Sequence, residues 1–234
     1  MLFRSQYFQA ATGGFLTHDV SSEDGVTDAI TTAHLGLAML EAGKVDIATQ
    51  AGKYLISLLN KQPNLEEGFY LRQNAEGKLL TEFSDDQRAL VFIDTQKENQ
   101  LYFMLAYPVA FLTLLEKSTK ATWTAVTPPY IKTAIEYMNF LLSCHESVYS
   151  SEFSHKVAWA CSLLYTVVQD KRYIEMIDRI SQAFIDKQDQ SGLWYKDDPL
   201  KSYDQSAEIG LWFSEIRRNL ECVQHAKIQQ QSQL

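Results

Sequence analysis

One short pattern recurs four times along the chain and limits the fold more than any other feature of the sequence. In each copy a helical segment ends, a polar turn follows, and a small or acidic residue precedes an aromatic one: FQAATGGF, KQPNLEEGF, CHESVYSSEF and KQDQSGLW. The aromatic residues are Phe15, Phe69, Phe153 and Trp194. Units that recur in this way bury their apolar faces against their neighbours, so the pattern predicts a helical repeat protein.

Amphipathic segments fill the intervals between these aromatic residues. In each of them apolar residues recur at three- and four-residue spacing, which is typical of a helix with one buried face. Gly43 suits the end of the first segment, Pro129 suits the start of the fourth, and Pro108 should kink the third. The segments pair into antiparallel hairpins, with the last one unpaired, and cover residues 27–42, 45–61, 100–117, 129–143, 155–169, 171–187 and 203–220. The sequence therefore predicts an all-α fold with about seven main helices.

Residues 69–94 interrupt this helical pattern. FYLRQN and LLTEF alternate like two strands around the turn AEGK, and ALVFID can add a third strand. Beyond residue 220 the chain becomes rich in glutamine, which predicts a disordered tail over 221–234. We therefore expect one helical domain over 1–220 with a small β insertion at 69–94.

Charge and cysteine content exclude several classes of function. The 234 residues carry a formal net charge of -8 without a basic patch, which argues against nucleic acid and anionic membranes as partners. No apolar stretch is long enough to span a bilayer, and the first residues lack the apolar segment of a secretion signal. The three cysteines, Cys144, Cys161 and Cys222, show no CxxC spacing. These features predict a protein of the reducing cytoplasm.

The repeat resembles a known superfamily. The stretches TGGF, TTAHLGLAMLEAG, AGKYLISLLNKQ and EGF resemble the repeat of terpenoid cyclases and protein prenyltransferase β subunits. The stretches YFMLAYPVAFL, VYSSEFSHKVAW and DQSAEIGLW are similar to those of uncharacterised terpenoid-cyclase-like proteins. SGLWYKDDP and YDQSAEIGLWFSEI are also similar in rhythm to six-hairpin sugar-active enzymes. The resemblance implies an α/α toroid, here an incomplete one that exposes unpaired faces, so a homodimer is expected.

The chain departs from those relatives in its reactive motifs. It contains neither the DxDD motif of class II terpene cyclases nor the DDxxD cluster of class I enzymes. The zinc ligands of prenyltransferase β subunits cannot be assembled from the repeat positions either. Cys144, His145 and Cys161 are similar to the zinc site of lanthionine cyclases, but their order is reversed. We therefore expect metal-independent chemistry with no metal and no cofactor.

The helices that follow the aromatic anchors supply the candidate site residues, because positions i and i+4 share one helix face. His155 aligns with Trp159, and Asp204 and Glu208 align with Trp212. We predict that the catalytic residues are His155, Asp204 and Glu208. The predicted substrate-binding residues are Asp28, Thr31, His34, Tyr102, Tyr107, Trp159 and Trp212.

Structural roles explain several of these residues equally well. His155 can cap a helix, Asp204 can interact with a helix dipole, Glu208 can form a structural ion pair, and His34 can be a core histidine. If the residues are functional, they suit acid/base or cation-steering chemistry by a cyclase or isomerase on an apolar small metabolite. Two alternatives stay open. One is a sugar-active lyase, hydrolase or epimerase, and the other is a non-catalytic toroid arc that binds a partner protein.

Overall fold

The structure is a computed structural model that describes residues 8–17, 25–119 and 129–231, with the backbone alone for 230 and 231. Within these ranges the chain is mostly helical, and its strands are confined to short antiparallel pairs. The predicted all-α fold with a small β insertion is confirmed. The chain divides into two compact units, Met1–Val148 and Tyr149–Leu234, so the expected domain over 1–220 falls across both units.

The first unit contains two long helical hairpins. The described helices of this unit are α1 (Ala29–Glu41), α2 (Val45–Asn60), the short α3 (Arg88–Val91), α4 (Phe103–Thr119) and α5 (Tyr130–Ser143). Helices α1 and α2 form one hairpin and α4 and α5 form the other, and α4 packs against all three long partners. Gly43, with φ of 69°, follows α1 as the sequence predicts, and α4 continues through Pro108.

Two glycines let the hairpins approach each other closely. A Cβ atom at Gly36 on α1 would lie 2.5 Å from the ring of Phe111 on α4. At Gly52 on α2 it would lie 2.5 Å from the side chain of Leu115, also on α4. Because buried contacts of this kind leave no room for a larger side chain, these positions fix α4 between α1 and α2.

The β insertion differs in detail from the hairpin that the sequence predicts. The strands are β1 (Thr27–Asp28), β2 (Gly68–Tyr70), β3 (Arg72–Gln73) and β4 (Phe92–Asp94). They form two antiparallel pairs, β1 with β3 and β2 with β4. The predicted turn is present, since the Asn74 amide donates to the Lys78 carbonyl at 3.0 Å. However, LLTEF contributes only a single bridge, between Leu79 and Gln73, while Gln73 also pairs with Thr27 of β1.

The second unit consists of three helices. These are α6 (Ser154–Val168), α7 (Lys171–Lys187) and α8 (Pro199–Gln231), and α6 packs against both α7 and α8. Helix α8 extends through most of the glutamine-rich segment predicted to be disordered, in which Gln, Ala and Lys favour a helix intrinsically. Residues 232–234 of that predicted tail lie outside the described residues.

None of the helices in the described parts of the chain combines the length and the apolar character needed to cross a bilayer.

Candidate functional site

The first turn of α6 places polar side chains in the interior of the second unit. Ser154 and His155 begin the helix, and their exposed fractions are 1% and 0%. Trp159 lies one turn further on and is also buried. Such a helix start is unusual, because an imidazole and a hydroxyl normally keep contact with water or a hydrogen-bond partner. The polar start of α6 is therefore the first component of the candidate site.

Helix α8 supplies the opposite wall. Its buried positions Ser202, Gln205, Ile209, Ile216 and Val223 follow one another at intervals of three, four or seven residues, which defines a single helix face. The two positions nearest the start of the helix are polar. Because α8 packs on α6, this face brings polar side chains to the buried start of α6.

Glu208 connects the two walls through both of its carboxylate oxygens. Its Oε1 lies 2.9 Å from Lys156 Nζ and accepts from Trp212 Nε1 at 3.4 Å. Its Oε2 lies 3.6 Å from His155 Nε2 and accepts from Gln205 Nε2 at 3.4 Å. The side chain of Glu208 is 26% exposed and that of His155 is 0% exposed. The carboxylate is thus the accessible part of the pair and the imidazole the enclosed part.

The surroundings set the charge of both groups. Burial lowers the pKa of His155 to about 4, although the nearby Glu208 carboxylate raises it and the Lys156 ammonium lowers it. For Glu208, burial raises the pKa, but its hydrogen bond and charge interaction with Lys156 outweigh burial and lower the pKa below its usual value. At neutral pH the site therefore holds a neutral imidazole beside an ionised carboxylate.

Several buried polar atoms at this site lack a hydrogen-bond partner in the described part of the chain. They are the hydroxyls of Ser154 and Ser202 and Oε1 of Gln205. The ring nitrogens of His155 make no hydrogen bond of normal geometry, but the Glu152 backbone and the Glu208 carboxylate both act on the ring and raise its pKa. At 3.6 Å the contact between His155 and Glu208 is electrostatic and too long for a normal hydrogen bond. Buried polar atoms without partners lower stability. Other such atoms occur elsewhere in the described residues, including the hydroxyls of Tyr54, Tyr130 and Tyr173, so what distinguishes this site is that several lie together beside an ion pair.

Aromatic rings surround the pair. The rings of Trp159 and Trp212 lie 4.2 Å apart between centroids and are tilted by 40°. The ring of Phe184 on α7 meets the His155 imidazole edge-on at 5.4 Å. The Phe184 ring contributes to the desolvation that keeps His155 neutral.

The structure brings together most of the predicted residues of this unit. His155 and Trp159 of α6 lie beside Glu208 and Trp212 of α8, and the contacts between the two helices bring these four residues into one cluster. Asp204 is exposed, and it is linked to this cluster through Gln205, whose Nε2 donates to Asp204 Oδ2 at 3.1 Å and also reaches Glu208.

The predicted residues of the first unit form separate local contacts. Asp28 caps α1, because its Oδ1 accepts from the Thr31 amide at 2.6 Å and its Oδ2 accepts from the Thr31 hydroxyl at 3.0 Å. His34 is exposed, and its ring lies 3.8 Å from the ring of Tyr107. The structure thus gives Asp28 and Thr31 a capping role and places His34 beside Tyr107.

Tyr102 is occupied in the core. It is 1% exposed, and its hydroxyl donates to the Lys97 carbonyl at 2.9 Å and lies 2.9 Å from the Ser147 hydroxyl. These two contacts satisfy the tyrosine hydroxyl and fix the loop that precedes α4.

Sequence reasoning missed three residues of the site. Lys156 reads as a solvated neighbour of His155, yet its side chain is only 12% exposed and forms an ion pair with Glu208. Ser202 and Gln205 were not singled out. The signal that would reveal them is their position, since both fall on the buried face that Ile209 continues.

Among the described residues, no three His, Cys, Asp or Glu side chains are grouped closely enough to hold a metal ion. Comparison with known proteins assigns no family: no family model matches the chain, and no curated protein matches it.

Proposed function

We propose that this chain is an enzyme of cyclase or isomerase type that moves a proton on an apolar small metabolite. One observation carries the proposal: a buried, neutral His155 lies 3.6 Å from an ionised Glu208 whose other oxygen is held by Lys156. Perturbed pairs of titratable groups in desolvated surroundings are typical of acid/base sites.

The pair divides the work of proton transfer. The Glu208 carboxylate is ionised and is the accessible member of the pair, so it accepts a proton from a carbon or oxygen of the substrate. His155 stays neutral at pH 7, because its pKa is about 4, and together with Lys156 it positions the carboxylate. The carboxyl group then returns the proton to another atom of the substrate, which completes an isomerisation without net consumption of acid or base.

The surrounding groups support an apolar substrate. Indole and phenyl rings lie against the pair, and aromatic faces stabilise a positive charge that develops on a hydrocarbon. The resemblance of the repeat to terpenoid cyclases points to the same substrate class and to an α/α toroid. The two indole rings cover each other at 4.2 Å, so they suit hydrocarbon packing better than the stacking of a sugar.

The test is turnover of a panel of polyenes and isoprenoid alcohols, with unsaturated uronic sugars as the competing class. We expect Glu208→Gln to lower kcat/KM about 100-fold to 10,000-fold, the range for loss of a general acid or base. His155→Gln should act in the same direction, because it alters the contact that positions the carboxylate. Asp204→Asn should have a smaller effect, since Asp204 is exposed and reaches Glu208 only through Gln205.

Glu215→Gln is the matched control, because Glu215 lies on the same helix and pairs with Arg218 at 2.8 Å. It should leave turnover unchanged. Unchanged turnover in all three variants, of His155, Asp204 and Glu208, would reject the assignment of these residues. Turnover of the uronic sugars alone would show that the chain is a sugar-active enzyme instead.

A further inference from the structure

Helix α8 has a second apolar surface, on the side opposite the buried face that packs on α6. Leu200, Tyr203 and Leu211 lie on this side and are 87%, 71% and 55% exposed. Ala207 and Gly210 lie between them and are exposed as well. Because these positions follow one another at intervals of one, three or four residues, they share one side of the helix, which we call the outer face of α8. A contiguous exposed apolar surface marks an interaction site.

The shape of the outer face favours another helix as its partner. A Cβ atom at Gly210 would meet no atom of the described residues within 4 Å, so the space beside this glycine is open. Small residues such as Ala207 and Gly210 let the backbone of a second helix approach closely. Binding sites for small molecules are concave, whereas one side of a helix is convex. The outer face therefore suits helix packing.

The apolar residues of the outer face are complementary to a second copy of the same face. Tyr203 and Leu211 lie four residues before and four residues after Ala207. In an antiparallel helix pair with a two-fold axis at Ala207, Tyr203 of one copy therefore lies opposite Leu211 of the other. Since the contact is symmetric, it occurs twice. The large side chains then pack on either side of the small residues at the centre.

Charged residues show the same symmetry. Asp197, just before α8, and Arg217 each lie ten residues from Ala207. Arg217 pairs with Glu221 at 2.7 Å, but the two side chains are 80% and 48% exposed, so this pair contributes on the order of 0–1 kcal/mol. The other N–H groups of the guanidinium can donate to a second carboxylate. An antiparallel pair places Asp197 opposite Arg217 at both ends, whereas a parallel pair places each charge opposite its own copy.

We propose that the outer face of α8 binds a second copy of this chain, with the two α8 helices antiparallel and a two-fold axis at Ala207. The charge complementarity between Asp197 and Arg217 commits the face to this partner and to this direction. A single helix pair buries less than the roughly 800 Å² per partner of a standard interface, so the dimer is weak and forms in a concentration-dependent manner. This dimer does not depend on the reaction proposed above.

Sedimentation equilibrium of the full chain from about 5 µM to about 500 µM tests the proposal. We expect the dimer fraction to rise across this range. Ala207→Glu places two carboxylates at the two-fold axis and should weaken dimerisation at least about tenfold. Ile185→Glu is the matched control, because Ile185 is 59% exposed on α7, outside the outer face, and should leave dimerisation unchanged. A chain that stays monomeric throughout, or a dimer that Ala207→Glu leaves intact, would overturn the proposal.

Charge reversal tests the direction of the two helices. Asp197→Arg and Arg217→Asp should each weaken dimerisation about threefold to tenfold, because like charges then meet at both ends of the pair. The variant that carries both changes should recover the affinity of the unmodified chain to within about twofold. Both positions are exposed, so the variants should fold, which circular dichroism checks. A double variant that dimerises no better than the single ones would rule out the antiparallel pair.

Discussion

Two pairs of residues that the sequence analysis selects as candidate site residues have opposite surroundings in the structure. Asp28 and Thr31 on α1 satisfy each other, since both carboxylate oxygens of Asp28 accept hydrogen bonds from Thr31. His155 and Glu208 join two helices, and neither ring nitrogen of His155 has a normal hydrogen bond within the described residues. We infer that a polar pair with complete local hydrogen bonding contributes to stability. An incompletely bonded pair at a buried position is the better candidate for chemistry.

The largest expected difference between the two pairs is the effect of His155 on the pH dependence of stability. The pKa of His155 is about 4 in the folded chain and about 6.5 when unfolded, so the unfolded chain binds the proton first as pH falls. Stability is therefore lost between pH 6.5 and pH 4. Between pH 7 and pH 5 the loss due to His155 should be about 2 kcal/mol by this linkage.

Urea unfolding of His155→Leu at both pH values measures the contribution. Between pH 7 and pH 5, the free energy of unfolding of this variant should fall by about 2 kcal/mol less than that of the unmodified chain. His225→Leu, which alters an exposed histidine of α8, is the matched control and should keep the full dependence. An identical loss in the unmodified chain and in His155→Leu would mean that His155 titrates normally.

A smaller effect tests the other member of the comparison. Asp28→Ala removes both acceptors of the α1 cap and should lower the free energy of unfolding by about 1–2 kcal/mol. Asp28→Asn keeps one side-chain oxygen and should retain most of the stability that Asp28→Ala loses. If Asp28→Ala instead abolished turnover at unchanged stability, Asp28 would belong to the functional site and the contrast between the pairs would fail.

The smallest effect concerns Thr31. Thr31→Val removes the hydroxyl that donates to Asp28 Oδ2 but keeps the backbone amide that donates to Oδ1. The expected destabilisation is about 0.5–1 kcal/mol, measured as a shift in the urea midpoint. A larger loss than that of Asp28→Ala would show that the hydroxyl has a further partner.

The fold was largely predictable because helical periodicity and the residues that begin or end helices are local signals. Gly43 ends α1, and the seven long helices appear where apolar residues recur. The β insertion was predictable in position and in its turn, but β1, which pairs with β3, lies far earlier in the sequence and was not predicted as a strand.

The candidate site was predictable in part for the same reason. The alignments of His155 with Trp159 and of Glu208 with Trp212 follow from helix geometry alone. The ion pair of Lys156 and the bridging position of Gln205 depend on how α6 packs on α8, which no spacing within one helix contains. Capping by Asp28 was readable from its place before α1, but the sequence did not separate that role from ligand binding.

The most direct test of the central claim is an NMR titration of the His155 imidazole in the folded chain. We predict a neutral ring at pH 7 with a pKa of about 4, and a still lower pKa in Glu208→Gln, because the carboxylate favours the charged ring. A pKa at or above 6.5, or one that does not respond to Glu208→Gln, would contradict the account of a buried neutral imidazole paired with an ionised carboxylate.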